Sequence, residues 1–201
     1  GGAAVGGAIA SNDITSDTYA EIEQVKLLAA DTNVISLQAA RIEANLKGET
    51  VSADDDGGSG IAVNGLIATN AVRGNTASRI EYSELTVAGN VLVDSRNRAS
   101  INALNEATMV SGGAAVGATL AFNAIGWEQQ NIFSKAIDAL VGSELGQELP
   151  MQSLALIDGS SLQVSGDVSL SALTEGHITA STSNAASSQG AAAASVVLGS
   201  N

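Results

Sequence analysis

Apolar and polar residues alternate along much of this chain, and that alternation first fixes its class. In Leu85-Thr86-Val87 and Val91-Leu92-Val93, and again in Leu162-Gln163-Val164 and Val168-Ser169-Leu170, alternate residues are apolar and most of those between are polar. A period of two marks a half-buried β-strand, whose side chains point by turns to opposite faces. Gly89-Asn90 and Gly166-Asp167 separate these segments and predict turns, because Gly, Asn and Asp accept positive φ at little cost.

The pattern recurs on a longer scale. A twelve-residue phrase runs from Ala3 to Ile14, returns from Ile61 to Val72 and from Ala114 to Ile125, and begins again at Ala192. The intervals are 58, 53 and 78 residues. Ile80, Leu85, Val87, Val91, Val93 and Ile101 are matched in spacing by Ile157, Leu162, Val164, Val168, Leu170 and Ile178. Ile22, Leu27, Ala29, Val34 or Ile35, and Ile42 follow with a slip of one residue. From Ile125 to Ile157 is 32 residues where the second unit has 8, so the surplus of 24 is one insertion. Self-similarity of this kind predicts stacked supersecondary units. The units are 1–59, 60–112, 113–190 and a partial 191–201, forming one solenoid segment over 1–201.

Ordinary strand lengths divide a 53-residue unit into about two coils of three short strands each. Seven or eight coils stacked at ~4.8 Å then make a rod roughly 35–40 Å long. Within the phrase, Val5, Val63 and Val116 form one column and Ile9, Ile67, Leu120 and Leu198 another; both are expected to point inward. The opposite face is flat, with Ala4, Ala62, Ala115 and Ala193 in one column and Ala10, Ala68, Ala121 and Gly199 in the next. An outward wall of such small residues suggests that something packs closely upon it; the alternative is that Ala and Gly merely ease sharp bends. Asn12, Asn70, Asn123 and Asn201 form the strictly repeated polar column. With two coils per unit they do not stack directly, so local turn capping is expected of them.

The insertion breaks the strand pattern. Ile132, Phe133, Ala136, Ile137, Leu140 and Val141 fall at helical spacing, with Asn131 as N-cap and Gly142 as C′ residue. A short amphipathic helix within 128–152 is expected to lie on the Ala wall near 114–121, burying Phe133, Ile137 and Leu140, with Trp127 as its anchor.

Composition narrows the core. Hydrophobic residues make up 45% but only five are aromatic, so the interior must be thin layers of Val, Ile, Leu and Ala. A single proline suits a chain whose N–H groups are committed to ladders. The absence of cysteine excludes disulfides and thiolate metal sites. No run of eighteen apolar residues provides a membrane-spanning helix. A net charge of −13 repels nucleic acid and anionic membranes. Both ends fall at the same phase of the repeat, with no secretion signal or cap, and read as cuts through a longer protein.

Candidate chemistry is sparse. Asp54, Asp55 and Asp56 before Gly57 and Gly58 offer oxygen ligands for Ca²⁺, but without the spacing of an EF-hand or of the nonapeptide Ca²⁺ repeat; a solvated loop is the plainer reading. The lone His177 reads as a solvent-facing strand residue. Arg73, Arg79, Arg96 and Arg98 are interleaved with acids and lack an aromatic platform, against nucleic-acid binding. Glu21 with Glu23, or Asp158 with Asp167, could be read as glycosidase carboxylates, but nothing concentrates such a cluster. No catalytic residue and no cofactor are assigned.

The phrases Gly113-Ala114-Ala115-Val116-Gly117-Ala118-Thr119-Leu120-Ala121-Phe122-Asn123-Ala124-Ile125 and Gly166-Asp167-Val168-Ser169-Leu170-Ser171-Ala172 resemble the long repeats of large bacterial surface proteins, the filamentous-haemagglutinin-like and related adhesins. The resemblance covers essentially the whole chain. It implies an all-β, right-handed parallel β-helix, secretion to the cell surface, and a role in adhesion, matrix or fibre formation. The expected function is an extracellular shaft or self-assembling fibre unit, not an enzyme, whose partners are copies of itself, end to end or laterally, and a host or matrix surface. The alternatives are a carbohydrate- or receptor-binding stalk with recognition in 128–152 and, behind it, a polysaccharide-degrading enzyme.

Overall fold

The structure, a computed structural model, describes residues 2–52, 60–126, 150–190 and 192–200. All regular structure among them is β, and every strand pairing is parallel. Thirteen strands fall into four sheets that the chain visits in a fixed order. Sheet A holds β1 (Ala3–Thr15), β5 (Ile61–Arg73), β9 (Ala114–Ile125) and β13 (Ala192–Ser200). Sheet B holds β2 (Thr18–Glu23), β6 (Asn75–Glu81) and β10 (Gln152–Asp158), and sheet C the short β3 (Lys26–Ala29), β7 (Glu84–Val87) and β11 (Ser161–Val164). Sheet D holds β4 (Thr32–Ser52), β8 (Val91–Ser111) and β12 (Val168–Ser188), each of 21 residues.

One repeat is therefore one winding, not two. Ala3 pairs with Ile61 and Ile61 with Ala114, so copies of the phrase are adjacent strands. The expectation of two coils per unit fails because it breaks the path into strands of ordinary length. Between Val91 and Ser111 there is neither Gly nor Pro to end a strand, and β8 runs ~70 Å without interruption at 3.3 Å per residue. The described residues build three windings and the start of a fourth, roughly 15 Å from first strand to last at ~4.8 Å per step. That replaces the expected rod of seven or eight coils.

Each winding is flattened. Sheets A and B form one long layer, sheet D runs back as the other, and sheet C makes the bend between them. The tip is filled by Ile80, Leu85, Val87, Val91, Val93 and Val34, a compact aliphatic cluster. These sit in repeated columns: Ile22, Ile80 and Ile157; Leu27, Leu85 and Leu162; Val34, Val93 and Leu170. Full burial of each such side chain contributes about 1.5–3 kcal/mol. Farther along, Val72 of sheet A meets Ile42, Ala44, Ala99, Ile101 and Ala103 of sheet D. At the far end Ala62 and Ala115 lie against Met109.

The faces of sheet A are the reverse of those expected. Ala62 and Ala115 are 0% exposed, whereas Val5 is 80%, Val63 37% and Val116 46% exposed. Ile9 and Leu198 also face outward. The columns themselves are as read, with Val5 opposite Val63 and Val63 opposite Val116, but they line the outside. Alternation defines two faces without saying which is inner when both are apolar. Here the inner face is Ala62, Asn64, Leu66 and Ala68, and sheet D packs closely on it: a Cβ on Gly48 would collide with Leu66 and Asn64. The Ala wall is therefore no outer surface awaiting a partner: it is the inner face, packed by the chain's own return strands.

The one-residue slip in the first winding lies at the bend. Two residues, Ala30 and Asp31, join β3 to β4, whereas three, Ala88 to Asn90, join β7 to β8. The extra residues of the third winding leave between β9 and β10, and Ile157 regains register with Ile80 after them. The expected helix with Phe133, Ile137 and Leu140, its anchor Trp127, and the loop residues Asp54, Asp55 and Asp56 lie outside the described residues, as does Asn201.

Candidate functional site

Polar side chains repeat in step with the windings, and their hydrogen bonds run from one winding to the next. Asn12 Nδ2 donates to Asn70 Oδ1 at 2.8 Å, and Asn70 Nδ2 donates to Asn123 Oδ1 at 2.8 Å. Asn70 and Asn123 are buried. The expected turn-capping role is thus corrected: once a unit is one winding, the amides stand one strand spacing apart and form a ladder. Each such bond contributes about 0.5–1.5 kcal/mol, while an unpaired buried amide costs about 1–3 kcal/mol, so the column favours the in-register stack over a shifted one.

A second polar band crosses the interior between sheets B and D. Ser95 Oγ donates to Thr76 Oγ1 at 2.8 Å, and Ser78 Oγ meets Ser36 Oγ at 2.8 Å and the Asp94 carbonyl at 2.7 Å. This hydroxyl network separates the aliphatic tip from the second cluster. Small alcohols fit here because each both donates and accepts, so it satisfies itself within a dry layer.

The corners repeat as well. Asp31 Oδ1 accepts the Asn90 N–H at 2.8 Å, and Asn90 Oδ1 accepts the Asp167 N–H at 2.9 Å. Ser83 Oγ accepts the Val25 N–H at 3.2 Å, and Ser160 Oγ accepts the Ser83 N–H at 3.0 Å. Ser52 Oγ donates to the Gly2 carbonyl at 2.9 Å and Ser111 Oγ to the Gly60 carbonyl at 2.6 Å, and Ser188 bonds the Gly113 carbonyl in the same way. Between sheets B and C, Gln24 and Tyr82 occupy left-handed φ of 52° and 49°, and Gly159 repeats this at 57°. These columns escape a reading of apolar spacing alone, yet Ser52, Ser111 and Ser188 recur in the sequence as plainly as the valines.

Basic residues act as clips between windings. Lys26 pairs with Glu84 at 2.8 Å, Lys47 with Glu106 at 2.7 Å, Arg98 with Glu175 at 2.7 Å and Arg79 with Glu21 at 3.5 Å, and Arg73 pairs with Asp13. Arg41–Glu43 and Arg96–Asp94 close within a strand. Every Lys and Arg among the described residues thus has an acid, which accounts structurally for the Arg73, Arg79, Arg96 and Arg98 cluster. Hydrogen bonding and then charge attraction between Lys26 and Glu84 raise the pKa of the lysine above its ordinary value and lower that of the carboxyl.

The residues considered for catalysis do not converge. His177 is exposed, with Nε2 3.0 Å from Thr179 Oγ1. Glu21 is held by Arg79, and the exposed Glu23 and Asp158 fall in register with the half-buried Glu81 in an acidic column. Asp167 belongs to the corner ladder. Among the described residues no group of three or more His, Cys, Asp or Glu is placed to hold a metal, and no helix is long and apolar enough to cross a membrane.

The two outer faces differ in kind. Sheet D carries the Lys47–Glu106 and Arg98–Glu175 pairs. The first half of sheet A carries only Ala, Val, Ile, Leu and Gly outward, over four columns and four strands, before Ser11 and Asp13 begin a polar stretch. Compared with protein-family models, with curated proteins and with solved structures, the chain matches none.

Proposed function

We propose that this chain is a length of right-handed, closed β-solenoid that serves as shaft or assembling fibre unit of a bacterial surface filament or adhesin, and that it is not a catalyst. The observation that supports the reading is the full-length register between windings. Twenty-one consecutive residues of β8 pair in step with β4 and with β12, and side-chain ladders of Asn, Ser and Asx residues follow the same register. Such an architecture commits its interior to packing and its repeated polar columns to joining windings, which yields stiffness along the stack and extended outer faces. The acidic composition, with the bases among the described residues held in ion pairs, suits a solvated extracellular rod over a partner of nucleic acid.

Immunogold labelling of the source cells with an antibody against this chain tests the assignment. Label along fibres or at the outer surface is expected. Label confined to the cell interior would overturn it.

A further inference from the structure

The outer half of sheet A is an aliphatic surface on a strongly acidic molecule. We propose that this face binds the same face of a second copy of the chain, packing two windings back to back as a sandwich. The idea deepens the shaft reading and rests on it for biological purpose, naming the side on which two shafts would pair.

Three observations identify the occupant. First, charge: the chain carries −13, yet none of the sixteen outward positions in the first half of the four strands is charged. Two like-charged copies meet there with least repulsion, whereas a cationic partner would favour the acidic column at Glu81. Second, relief: over the first three strands Gly7, Gly65 and Ala118 form a low furrow, closed at the fourth by Val196, between a ridge containing Val63 and Val116 and a ridge containing Ile67 and Leu120. A Cβ built on Gly65 meets nothing within 4 Å, so the furrow is open. A two-fold axis sets the valine ridge of one copy into the furrow of the other, and the surface is complementary to itself. Third, area: four columns and four strands span about 27 by 19 Å, on the order of 500 Å² per copy. Two such faces reach about 1,000 Å², the lower bound for a specific interface. Sheets packed face to face stand ~10 Å apart, which Val and Ile side chains fill.

Sedimentation velocity of the whole chain across a concentration series tests the proposal. A reversible monomer–dimer equilibrium is expected. The variant Val63→Lys/Val116→Glu places an ion pair between neighbouring strands, as Lys47 and Glu106 do, so it keeps the monomer folded while charging the face. It is expected to weaken dimerisation by roughly 100-fold or more, because the pair would be buried in the interface. Gly65→Leu, which fills the furrow without touching the fold, is expected to weaken it too. Circular dichroism and the thermal midpoint verify that both variants remain folded. A wild-type chain that stays monomeric at the highest concentration would overturn the proposal. So would a dimer indifferent to both variants. A monomer that floats with phosphatidylcholine vesicles would give the face to lipid, and one that dimerises only after deletion of residues 127–149 would give it to that segment; each result also refutes the proposal. None of these outcomes bears on where the cell places the protein, so failure here and failure of the shaft reading are separable.

Discussion

The tip of each winding and its far flank are built by the same chain under opposite rules. At the tip, Ile80, Leu85, Val87 and Val93 turn inward, and the outside carries charge, as with Lys26 and Glu84. At the flank, Ala62, Ala68 and Ala115 turn inward and the larger Val63, Val116 and Leu198 turn outward. The difference lies in the space between layers. A sharp bend at sheet C leaves a lobe that Leu and Ile fill, whereas the two long flat sheets close on small residues, with the large inward Leu66 and Met109 seated over Gly48 and Gly117. Size alone does not choose the inner face; the geometry of the cavity does.

Breaking the tip gives the largest effect. Ile80→Ala is expected to cost about 2–5 kcal/mol in urea unfolding, as removal of a fully buried branched side chain does. Val63→Ala at the flank is expected to change stability by less than about 0.5 kcal/mol, the range for exposed positions. Equal losses at the two sites would refute the inversion of faces.

Next come the flank's polar columns. Asn70→Ala removes the middle rung and leaves Asn12 and Asn123 without that partner, at an expected cost of about 1–3 kcal/mol. Asn64 is equally buried, but its amide has no hydrogen-bond partner, so Asn64→Ala is expected to cost clearly less. Thermal midpoints of the two variants decide the matter, and a larger loss at Asn64 would contradict the ladder.

Gly74 sharpens the contrast at the corner between sheets A and B. Its φ of +141° is open to glycine, and a Cβ there would collide with the Ser16 carbonyl. Gly74→Ala is expected to lower the thermal midpoint, whereas Gly65→Ala in the same sheet leaves it unchanged. The smallest effect belongs to the exposed Lys26–Glu84 clip. The carboxyl's pKa is lowered, so its contribution exists above the unfolded value and is lost as pH falls through the folded one. The ammonium's is raised, so its contribution exists below the unfolded value and is lost as pH rises through the folded one. The wild-type advantage over Lys26→Ala in thermal midpoint should therefore plateau between these limits, vanish at both, and shrink with added salt.

Much of this architecture is legible from spacing. The pairing of Ile80 with Ile157, of Leu85 with Leu162 and of Val63 with Val116 follows from the offsets alone. What spacing does not carry is the number of strands between repeats, since a column looks the same whether its members are one winding apart or two. One clue bears on that number and a second on which face is inner. The 21 residues from Val91 to Ser111 contain no breaker, and Asn12, Asn70 and Asn123 share the parity of Ile14, Val72 and Ile125, a column whose central residue, Val72, is 0% exposed. That parity marks the Ala face as the inner one. The corner serines and Asx residues are visible only if polar columns are traced with the same care as apolar ones.

The measurement that bears most directly on one winding per repeat is disulfide formation in the double variant Val63→Cys/Val116→Cys. Both positions are outward and adjacent in register, so their Cα atoms should stand about one strand spacing, ~4.8 Å, apart. Rapid, near-complete oxidation within the monomer is expected, with none in Val63→Cys/Phe122→Cys, six residues out of register. If Val63 and Val116 were instead separated by an intervening coil, at about twice that spacing, the bond could not close, and failure of the pair to oxidise in the folded monomer would contradict the account.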